Sequence, residues 1–295
     1  MKLDFKSSMD AQSNRSDQSP QRLAWSLDQI ARFWDYRSAK DDQDSYFAKQ
    51  VGRGVVQLAS QVRDLAGLEV LDFGSGPGHL IPYLLERNAR VSASDYSPKS
   101  IAEVDQRFSR HTNWGQTSVF DGKRLEWDDD SFDAVFCLET IEHLHDDDCR
   151  HIFDELLRVT RPGGFVMYTT PNEERLEEHY VYCPSCDCEF HRMQHLRSWS
   201  AEQLSSQLVS QGYEVPYCRG LDLWNFQPPT ERQWRFSTLR SWLTNSVLST
   251  LDKLFPRPFP QQRMLTRNVK PRRRRNLVAV ASKPQPQLAV SARAA

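Results

Sequence analysis

The sequence predicts an α/β protein built around one mostly parallel sheet, and three observations support this. Between residues 69 and 170, five short apolar segments alternate with helix-length segments. Strands that are buried on both faces read as continuous apolar runs, which is the pattern of a parallel sheet covered by helices. A glycine-rich loop follows the first segment directly, and an aspartate follows the second. Ligands of open α/β sheets bind at such strand ends.

Composition limits the class of protein. The chain has 295 residues, with 39% hydrophobic residues, 26% charged residues and a net charge of −1. This length suits one large α/β domain with extensions. We find neither an apolar run of the roughly eighteen residues that a membrane helix needs nor the apolar segment of a signal peptide. Six cysteines are too few for a disulfide scaffold at this length. We therefore expect a soluble, cytoplasmic protein.

The elements follow in order along the chain. Residues 1–21 are polar and are predicted to be a disordered tail. Residues 22–66 carry apolar residues at helical spacing and are predicted to form a helical N-terminal segment. The core spans residues 67–220 and 276–283, and residues 284–295 form a second tail. The predicted strands are 69–73, 90–94, 117–120, 132–138, 164–170, 213–218 and 276–281, and the predicted helices lie near 79–88, 98–109, 147–160 and 200–211.

Residues 221–275 are predicted to be an insertion before the last strand. Its segment 231–255 has the apolar spacing of an amphipathic helix, and Arg272 to Arg275 form a basic run. Three interpretations stay open: a solvated surface, packing against the chain itself or a second copy, and peripheral contact with an anionic partner such as the inner face of a membrane. The oligomeric state is not predicted.

The net charge hides two opposite blocks. Residues 126–148 contain ten acidic residues and no Lys or Arg, whereas residues 256–275 contain eight basic residues and no acid. A near-neutral total excludes a globally basic surface, so nucleic acid is not the expected partner.

The loop after the first strand reads Asp72-Phe73-Gly74-Ser75-Gly76-Pro77-Gly78. Glycines let the chain turn tightly and let a ligand approach the backbone. Asp95 ends the second strand, where an acid can bond both hydroxyls of a ribose. The loop differs from the GxGxxG of dinucleotide folds, and Asp72 is placed to accept a bond from an ammonium group. These features favour S-adenosylmethionine, although a glycine triplet by itself is also typical of a plain turn.

Five motifs resemble those of the class I S-adenosylmethionine-dependent methyltransferases, in the family's order and spacing. They are LDFGSGPG, SASDYS, VFDGKRL, FDAVFCLETIEHL and LLRVTRPGGFVMYTTPN, and the resemblance covers roughly residues 45–220 and 276–281. It implies a seven-stranded Rossmann-like sheet of order 3-2-1-4-5-7-6 and a helical N-terminal cover that includes FWDYR at residues 33–37. The implied cofactor-binding residues are Asp72, Gly74, Ser75, Gly76, Gly78, Asp95, Tyr96, Asp121, Gly122 and Leu138.

A cluster of acids and one imidazole follows the fourth predicted strand: Glu139, Glu142 and His143. Such groups at the ligand-binding edge of a sheet could hold a hard divalent cation. The alternative is a solvated loop without metal. With a cation present, a coordinated hydroxyl loses its proton more easily. Glu142 and His143 are therefore the candidate catalytic residues, as groups that could accept this proton.

A second resemblance extends this site. The order ExxEH, then TPNE, then a histidine before an aromatic residue is similar to that of small-RNA 2′-O-methyltransferases, and the ExxEH stretch also resembles ubiquinone-pathway O-methyltransferases. The first resemblance implies that Glu139, Glu142, His143 and His195 bind one Mg²⁺, Mn²⁺ or Zn²⁺ ion, which grips two adjacent hydroxyls. His191 competes with His195 for the last position.

The loop 179–197 is rich in cysteine and histidine. Its residues Cys183, Cys186, Cys188 and His191 have three interpretations: incidental surface thiols, a structural zinc site and a redox CxxC pair. The pattern CPxC…FHxxQHxRxW is also similar to that of methyltransferases associated with bacterial cell-surface polysaccharide pathways.

Together these features predict a methyltransferase that uses S-adenosylmethionine to methylate a hydroxyl on a small-molecule, sugar or lipid-linked substrate, with help from a divalent cation. Two alternatives remain at this point. One is a metal-independent N- or C-methyltransferase of the same fold, and the other is an inactive scaffold that only binds S-adenosylmethionine.

Overall fold

A computed structural model of the chain describes residues 19–38, 44, 46–223 and 275–286. Ten strands form two sheets. They are β1 (Gln21–Arg22), β2 (Glu69–Phe73), β3 (Arg90–Asp95), β4 (Trp114–Val119), β5 (Phe132–Leu138), β6 (Thr160–Pro171), β7 (Tyr180–Cys183), β8 (Cys188–His191), β9 (Glu214–Leu221) and β10 (Asn276–Ser282). Six helices accompany them: α1 (Leu27–Ser38), α2 (Phe47–Val62), α3 (Ile81–Leu85), α4 (Pro98–Phe108), α5 (Asp146–Val159) and α6 (Ala201–Ser210).

The main sheet has seven strands in the spatial order β4-β3-β2-β5-β6-β10-β9. Strands β2 to β6 pair in parallel, and β10 runs antiparallel to both of its neighbours. Numbered along the main sheet alone, this order is 3-2-1-4-5-7-6, which confirms the predicted topology. The chain progresses outward in opposite directions from β2 and β5, so a crevice opens at the carboxyl ends of this central pair.

The core consists of two apolar layers, one on each face of the sheet. Successive residues of β5 alternate between them: Ala134 and Phe136 pack with α2, α3 and α4, whereas Val135 and Cys137 pack with α5 and α6. This alternation follows from the two-residue period of a strand. Burial on both faces explains why the strands read as unbroken apolar runs.

The structure differs from the predicted elements at two places. Within the loop 179–197, which lacks periodicity, β7 and β8 form an antiparallel hairpin, and β1 adds to it in parallel. Gln21, which the sequence placed in the tail, pairs with Cys188. Backbone hydrogen bonds hold this small sheet together, and such bonds do not require a regular apolar pattern in the sequence. In addition, β6 begins at Thr160, so the Pro162-Gly163-Gly164 turn lies inside the strand at a shift in its register with β5.

Several predicted features lie outside the described residues. They are the tail 1–18, the amphipathic segment 231–255, the arginines Arg272 to Arg274 and the tail 287–295. Arg275 is described, and its carbonyl accepts a bond from the Asn172 backbone amide. Among the described helices, none combines the length and apolarity needed to cross a bilayer.

Candidate functional site

Four loops meet at the carboxyl edge of the central strands. They follow β2, β3, β5 and β6, and contacts between them join the edge into one surface. The Gly76 amide donates to the Asp95 carboxylate at 2.8 Å, and the Glu139 amide donates to the Thr169 carbonyl at 2.9 Å. The glycine loop and the ExxEH motif therefore face one crevice, because their parent strands β2 and β5 are neighbours.

All three glycines of the loop have positive φ angles, which glycine adopts most easily. The angles are 70° at Gly74, 49° at Gly76 and 73° at Gly78. A Cβ on Gly74 would lie 2.5 Å from Thr140 Oγ1, and a Cβ on Gly78 would lie 2.8 Å from a methyl group of Val104. The loop is thus packed between the ExxEH segment and α4. A Cβ on Gly76, in contrast, would meet only the ring of Tyr46, at 3.7 Å.

The two predicted aspartates lie in different surroundings. Asp95 accepts bonds from the Gly76 and Ser97 amides, at 2.8 and 2.9 Å. Asp72 is buried, and its Oδ2 has no hydrogen-bond partner among the described residues. Burial raises the pKa of Asp72 to about 8, and the nearby Asp95 adds to the rise. An unpaired buried carboxyl is costly unless a ligand satisfies it, so Asp72 fits a cationic ligand group.

The remaining predicted cofactor residues lie around the same crevice. Tyr96 is 41% exposed and packs edge-on against Phe120, with its hydroxyl close to Gly122. Leu138 is buried at the end of β5, and the Ser75 hydroxyl is buried without a partner among the described residues. Asp121 is exposed, and its carboxylate accepts the Lys123 amide at 2.9 Å. The Asp121 side chain therefore closes its own turn.

The structure brings together three of the four predicted metal ligands. Glu142 and His143 lie on a short 3₁₀ turn after β5, and His195 lies in the segment before α6. The ligand atoms of the three residues are all within 4.8 Å of one another. A backbone bond of 2.8 Å from the Leu196 amide to the Glu142 carbonyl holds the two segments together.

The two carboxylates of the motif are buried without full hydrogen bonding. Both oxygens of Glu142 and Oε1 of Glu139 have no partner among the described residues. Burial raises the pKa of Glu139 to about 8 and that of Glu142 well above its usual range, and Glu139 adds to the rise at Glu142. Glu139 is not part of the 4.8 Å group, and its backbone has a φ of 46°. Such strain is typical of functional sites.

The proton on His143 can be placed from its neighbours. Its Nδ1 lies 3.4 Å from the Gln194 carbonyl, which can only accept, so Nδ1 carries the proton and Nε2 keeps a lone pair. Burial lowers the pKa of His143 to about 3, and His195 adds to this, so the ring is neutral at physiological pH. Buried, unpaired carboxylate oxygens beside an imidazole nitrogen that keeps its lone pair form a donor set that fits a divalent cation.

Comparisons with known proteins bear on the family of the domain rather than on the cation site. Residues 70–164 match a family model described as a methyltransferase domain. The chain contains a class I methyltransferase domain. This confirms the family that the five motifs predicted, and the matched residues run from β2 into β6.

Two relatives of the methyltransferase domain differ in how specifically their activity is named. A protein of Mycolicibacterium smegmatis, named as a probable S-adenosylmethionine-dependent methyltransferase, is 30% identical over 154 residues, which are 51% of this chain and 53% of that protein. A small RNA 2′-O-methyltransferase of Arabidopsis thaliana is 26% identical over 141 residues, or 44% of this chain and 15% of that protein. The chain spans about half the length of the first curated relatives it matches.

A solved structure shows the same fold. It is the Burkholderia thailandensis 1,6-didemethyltoxoflavin-N1-methyltransferase with bound 1,6-didemethyltoxoflavin and S-adenosylhomocysteine. The TM-score is 0.55 at 15% identity, and the match covers 90% of this chain and 94% of that one. At this identity the likeness supports the seven-stranded fold alone.

Helix α1 covers the crevice of the methyltransferase domain. The Trp34 indole packs edge-on against His143, with centroids 4.7 Å apart, and Asp35 accepts a bond of 3.1 Å from the Ser97 hydroxyl. The FWDYR segment therefore touches both the glycine-loop side and the histidine side of the site. That α1 covers the cofactor, as the resemblance implied, stays a prediction.

Sequence reasoning missed Gln194, which joins three parts of the site. Its amide oxygen accepts from Trp34 Nε1 at 3.0 Å, and its amide nitrogen donates to the His143 carbonyl at 3.0 Å. The residue is fully buried and has a φ of 61°. A buried glutamine beside two histidines in the sequence is a weak signal, because Gln is common on surfaces.

Replacing Gln194 with alanine tests this junction. The change leaves the Trp34 indole N–H and the His143 carbonyl without partners, so we expect a loss of about 1–3 kcal/mol in the free energy of unfolding. Urea denaturation measures it. Gln207→Ala is the control, since the side-chain bond of Gln207 among the described residues is to Gln211, just after α6. An equal loss in both variants would show that the buried bonds of Gln194 stabilise the protein no more than the surface bond of Gln207.

Sequence reasoning also missed Glu174 as a site residue. Glu174 lies just after β6, and its Oε2 is 2.5 Å from His195 Nδ1 while its Oε1 is 3.4 Å from His191 Nε2. Burial raises the pKa of Glu174, but bonds from His191 and His195 outweigh this and lower it to about 2. The signal that could have identified Glu174 is its position just after β6, the strand that pairs with β5.

The predicted zinc set is not brought together. Cys183 and Cys188 face each other next to the hairpin turn, whereas His191 lies three residues further along β8, opposite Tyr180. Each strand residue advances about 3.3 Å, so His191 is well away from the turn. It is buried beside Glu174. In the described part of the chain, no group of three metal-binding side chains includes a cysteine.

Proposed function

We propose that this domain transfers the methyl group of S-adenosylmethionine to a hydroxyl of a substrate that carries adjacent hydroxyls, and that Glu142, His143 and His195 hold a divalent cation for this reaction. One observation carries the proposal. Glu142 offers two buried oxygens without hydrogen-bond partners among the described residues, and the Nε2 of the neutral His143 ring lies 3.9 Å from Oε1. Such a set is costly to fold unless it binds something.

The glycine loop is the proposed site of the cofactor. Asp72 would accept the ammonium group, and Asp95 would bind the ribose hydroxyls, with Gly74, Ser75, Gly76 and Gly78 shaping the loop. Tyr96, Gly122 and Leu138 would line the base. Asp121 would contact it through Oδ2, since the Lys123 amide is bound to Oδ1. The contact of Gly74 with Thr140 brings this loop against the ExxEH segment.

The second half of the site would hold the substrate hydroxyl. A divalent cation at this site lowers the pKa of a hydroxyl that binds to it. The remaining steps belong to the chain itself. His143 and His195 each offer a ring nitrogen, and Glu139 places a further carboxyl beside the group. Glu142 is the residue we assign to accept the hydroxyl proton. Its second oxygen has no competing bond, and the charge of a bound cation would favour the ionised form of a carboxyl that burial otherwise keeps protonated.

The cover helix contributes to catalysis by excluding water. Trp34 closes one side of His143, and its own N–H is occupied by Gln194. An oxygen nucleophile competes with water for the activated methyl group, so a dry site favours transfer to the bound substrate. We infer a small-molecule, sugar or lipid-linked substrate. The Arabidopsis relative, a small RNA 2′-O-methyltransferase, supports a ribose hydroxyl as an acceptor type.

Chelation tests the proposal. We expect methyl transfer to catechols, sugar diols or RNA 3′ ends to stop in excess EDTA and to return on addition of Mg²⁺, Mn²⁺ or Zn²⁺, because the hydroxyl is almost fully protonated without the cation. Radiolabelled methyl transfer measures this, with S-adenosylhomocysteine binding in EDTA as the control. Full activity in EDTA would favour a metal-independent enzyme. Cofactor binding without transfer to any acceptor class would favour a scaffold.

A further inference from the structure

Three side chains form a compact cluster behind the proposed cation site: His191, Glu174 and His195. The carboxylate of Glu174 lies along the edges of the two rings, with Oε2 at 2.5 Å from His195 Nδ1 and Oε1 at 3.4 Å from His191 Nε2. All three side chains are largely buried, and the two rings stack with centroids 4.3 Å apart. Each nitrogen's role therefore depends on where the protons lie.

The backbone decides the proton position on His191. Its Nδ1 accepts bonds from the backbone amides of Met193 and His195, both at 3.2 Å. An atom that accepts two N–H bonds carries no proton, so the proton of the neutral ring lies on Nε2. That N–H faces Glu174. His191 then has no free lone pair for a cation. This holds even though Glu174, His191 and His195 form a second set of side chains whose ligand atoms lie within 4.8 Å of one another.

The opposite holds for His195. Its Nδ1 contacts a carboxylate oxygen, which accepts, so Nδ1 carries the proton. Nε2, on the other edge of the ring, keeps its lone pair. A metal-binding histidine usually donates its second N–H to a carboxylate in this manner, which fixes both the tautomer and the orientation of the ring.

We propose that Glu174 is a positioning residue that sets the tautomer of His195 and presents its Nε2 to the cation, with His191 packed beside it at 3.4 Å. His195 rather than His191 is then the fourth-position ligand that the sequence left undecided. This inference builds on the proposed function for the cation, but the proton positions can be measured without one.

The first test is the tautomer of each ring. Long-range ¹H–¹⁵N correlation spectra of protein labelled with ¹⁵N-histidine, in EDTA, report which nitrogen is protonated. His191→Gln and His195→Gln assign the two rings among the eight histidines. We expect the proton on Nε2 of His191 and on Nδ1 of His195. A proton on Nε2 of His195, or on Nδ1 of His191, would overturn the proposal.

The second test compares two neighbouring carboxylates. Glu174→Gln leaves one acceptor oxygen for two N–H donors, so His195 loses its fixed tautomer. We expect the affinity for Mn²⁺, measured by the electron paramagnetic resonance of the free ion, to fall about 10–100-fold. Glu173→Gln removes the same charge from an exposed neighbour and is expected to leave the affinity unchanged. An equal effect of both changes would overturn the positioning role.

The outcomes separate this proposal from the proposed function. If the wild-type protein binds no Mn²⁺, the cation part of the proposed function fails, and the tautomers still decide the role of Glu174. If Mn²⁺ binding survives Glu142→Gln but not His191→Gln, the ion binds to Glu174, His191 and His195 instead, and the positioning role is wrong.

Discussion

Replacing Glu142 with glutamine is expected to lower kcat by about 10²–10⁴-fold, the range typical of losing a general base. The amide cannot accept the hydroxyl proton, and it replaces a negatively charged cation ligand with a neutral one. The free enzyme tolerates the change, because the two oxygens of Glu142 make no hydrogen bond among the described residues and burial holds the pKa of its carboxyl well above the usual range. Radiolabelled methyl transfer at saturating cofactor measures the loss.

Two measurements make the Glu142→Gln result specific. Titration calorimetry with S-adenosylhomocysteine is expected to show wild-type affinity, since Glu142 lies outside the glycine loop. Glu178→Gln is the matched control, because Glu178 is an exposed carboxylate that, among the described residues, forms an ion pair with Arg175. Full turnover in Glu142→Gln would remove this residue from the reaction. Loss of cofactor binding would instead indicate damage to the whole crevice.

Replacing Asp72 with asparagine is expected to weaken cofactor binding and to stabilise the empty protein. Losing the charged acceptor for an ammonium group costs about 10–100-fold in affinity for S-adenosylhomocysteine. The empty protein gains, because a buried carboxyl with an unpaired oxygen is replaced by a neutral group. A gain of about 1 kcal/mol would raise Tm by roughly 2–4 °C. Calorimetry and thermal unfolding measure the two effects, with the exposed Asp128→Asn as the control.

The same residue gives a pH dependence with a defined sign. Burial, with a further contribution from Asp95, raises the pKa of Asp72 from 3.8 to about 8. The folded protein therefore holds a proton that the unfolded chain releases, so the stability of the empty protein falls as pH rises between about 4 and 8. We expect a shallower fall in Asp72→Asn. Some slope remains, since burial also raises the pKa of Glu139 to about 8. An unchanged slope would contradict the role of Asp72.

Cofactor binding depends on pH in the opposite direction. The ammonium group favours the ionised form of Asp72, so affinity is expected to increase up to about pH 8, with release of a proton on binding. Calorimetry in two buffers of different ionisation enthalpy detects this proton in the wild-type protein. Asp72→Asn is expected to abolish its release. Release of an unchanged number of protons by the variant would assign the coupling to another group.

The sequence predicted the fold because its signals are local. Buried strands read as apolar runs, and the turn into each helix contains Gly, Pro or a capping residue such as Ser200. The strand order came from the family resemblance, and the structure confirms it. The hairpin β7–β8 escaped prediction because edge strands pair through backbone bonds that any side chain permits.

The candidate site likewise has a part that the sequence predicted and a part that it did not. Glu139, Glu142 and His143 are contiguous, and Asp72 and the glycines follow one strand, so the sequence alone determined which groups stand at the carboxyl edge of the sheet. Only the tertiary structure decided what joins them there. The segment 191–196 is placed by backbone bonds to the 3₁₀ turn, and Gln194 and Glu174 come from separate loops. His191 and His195 are four residues apart and chemically identical. What distinguishes them is where the protons of each ring go, and that depends on which backbone amides and which carboxylate the fold brings beside them.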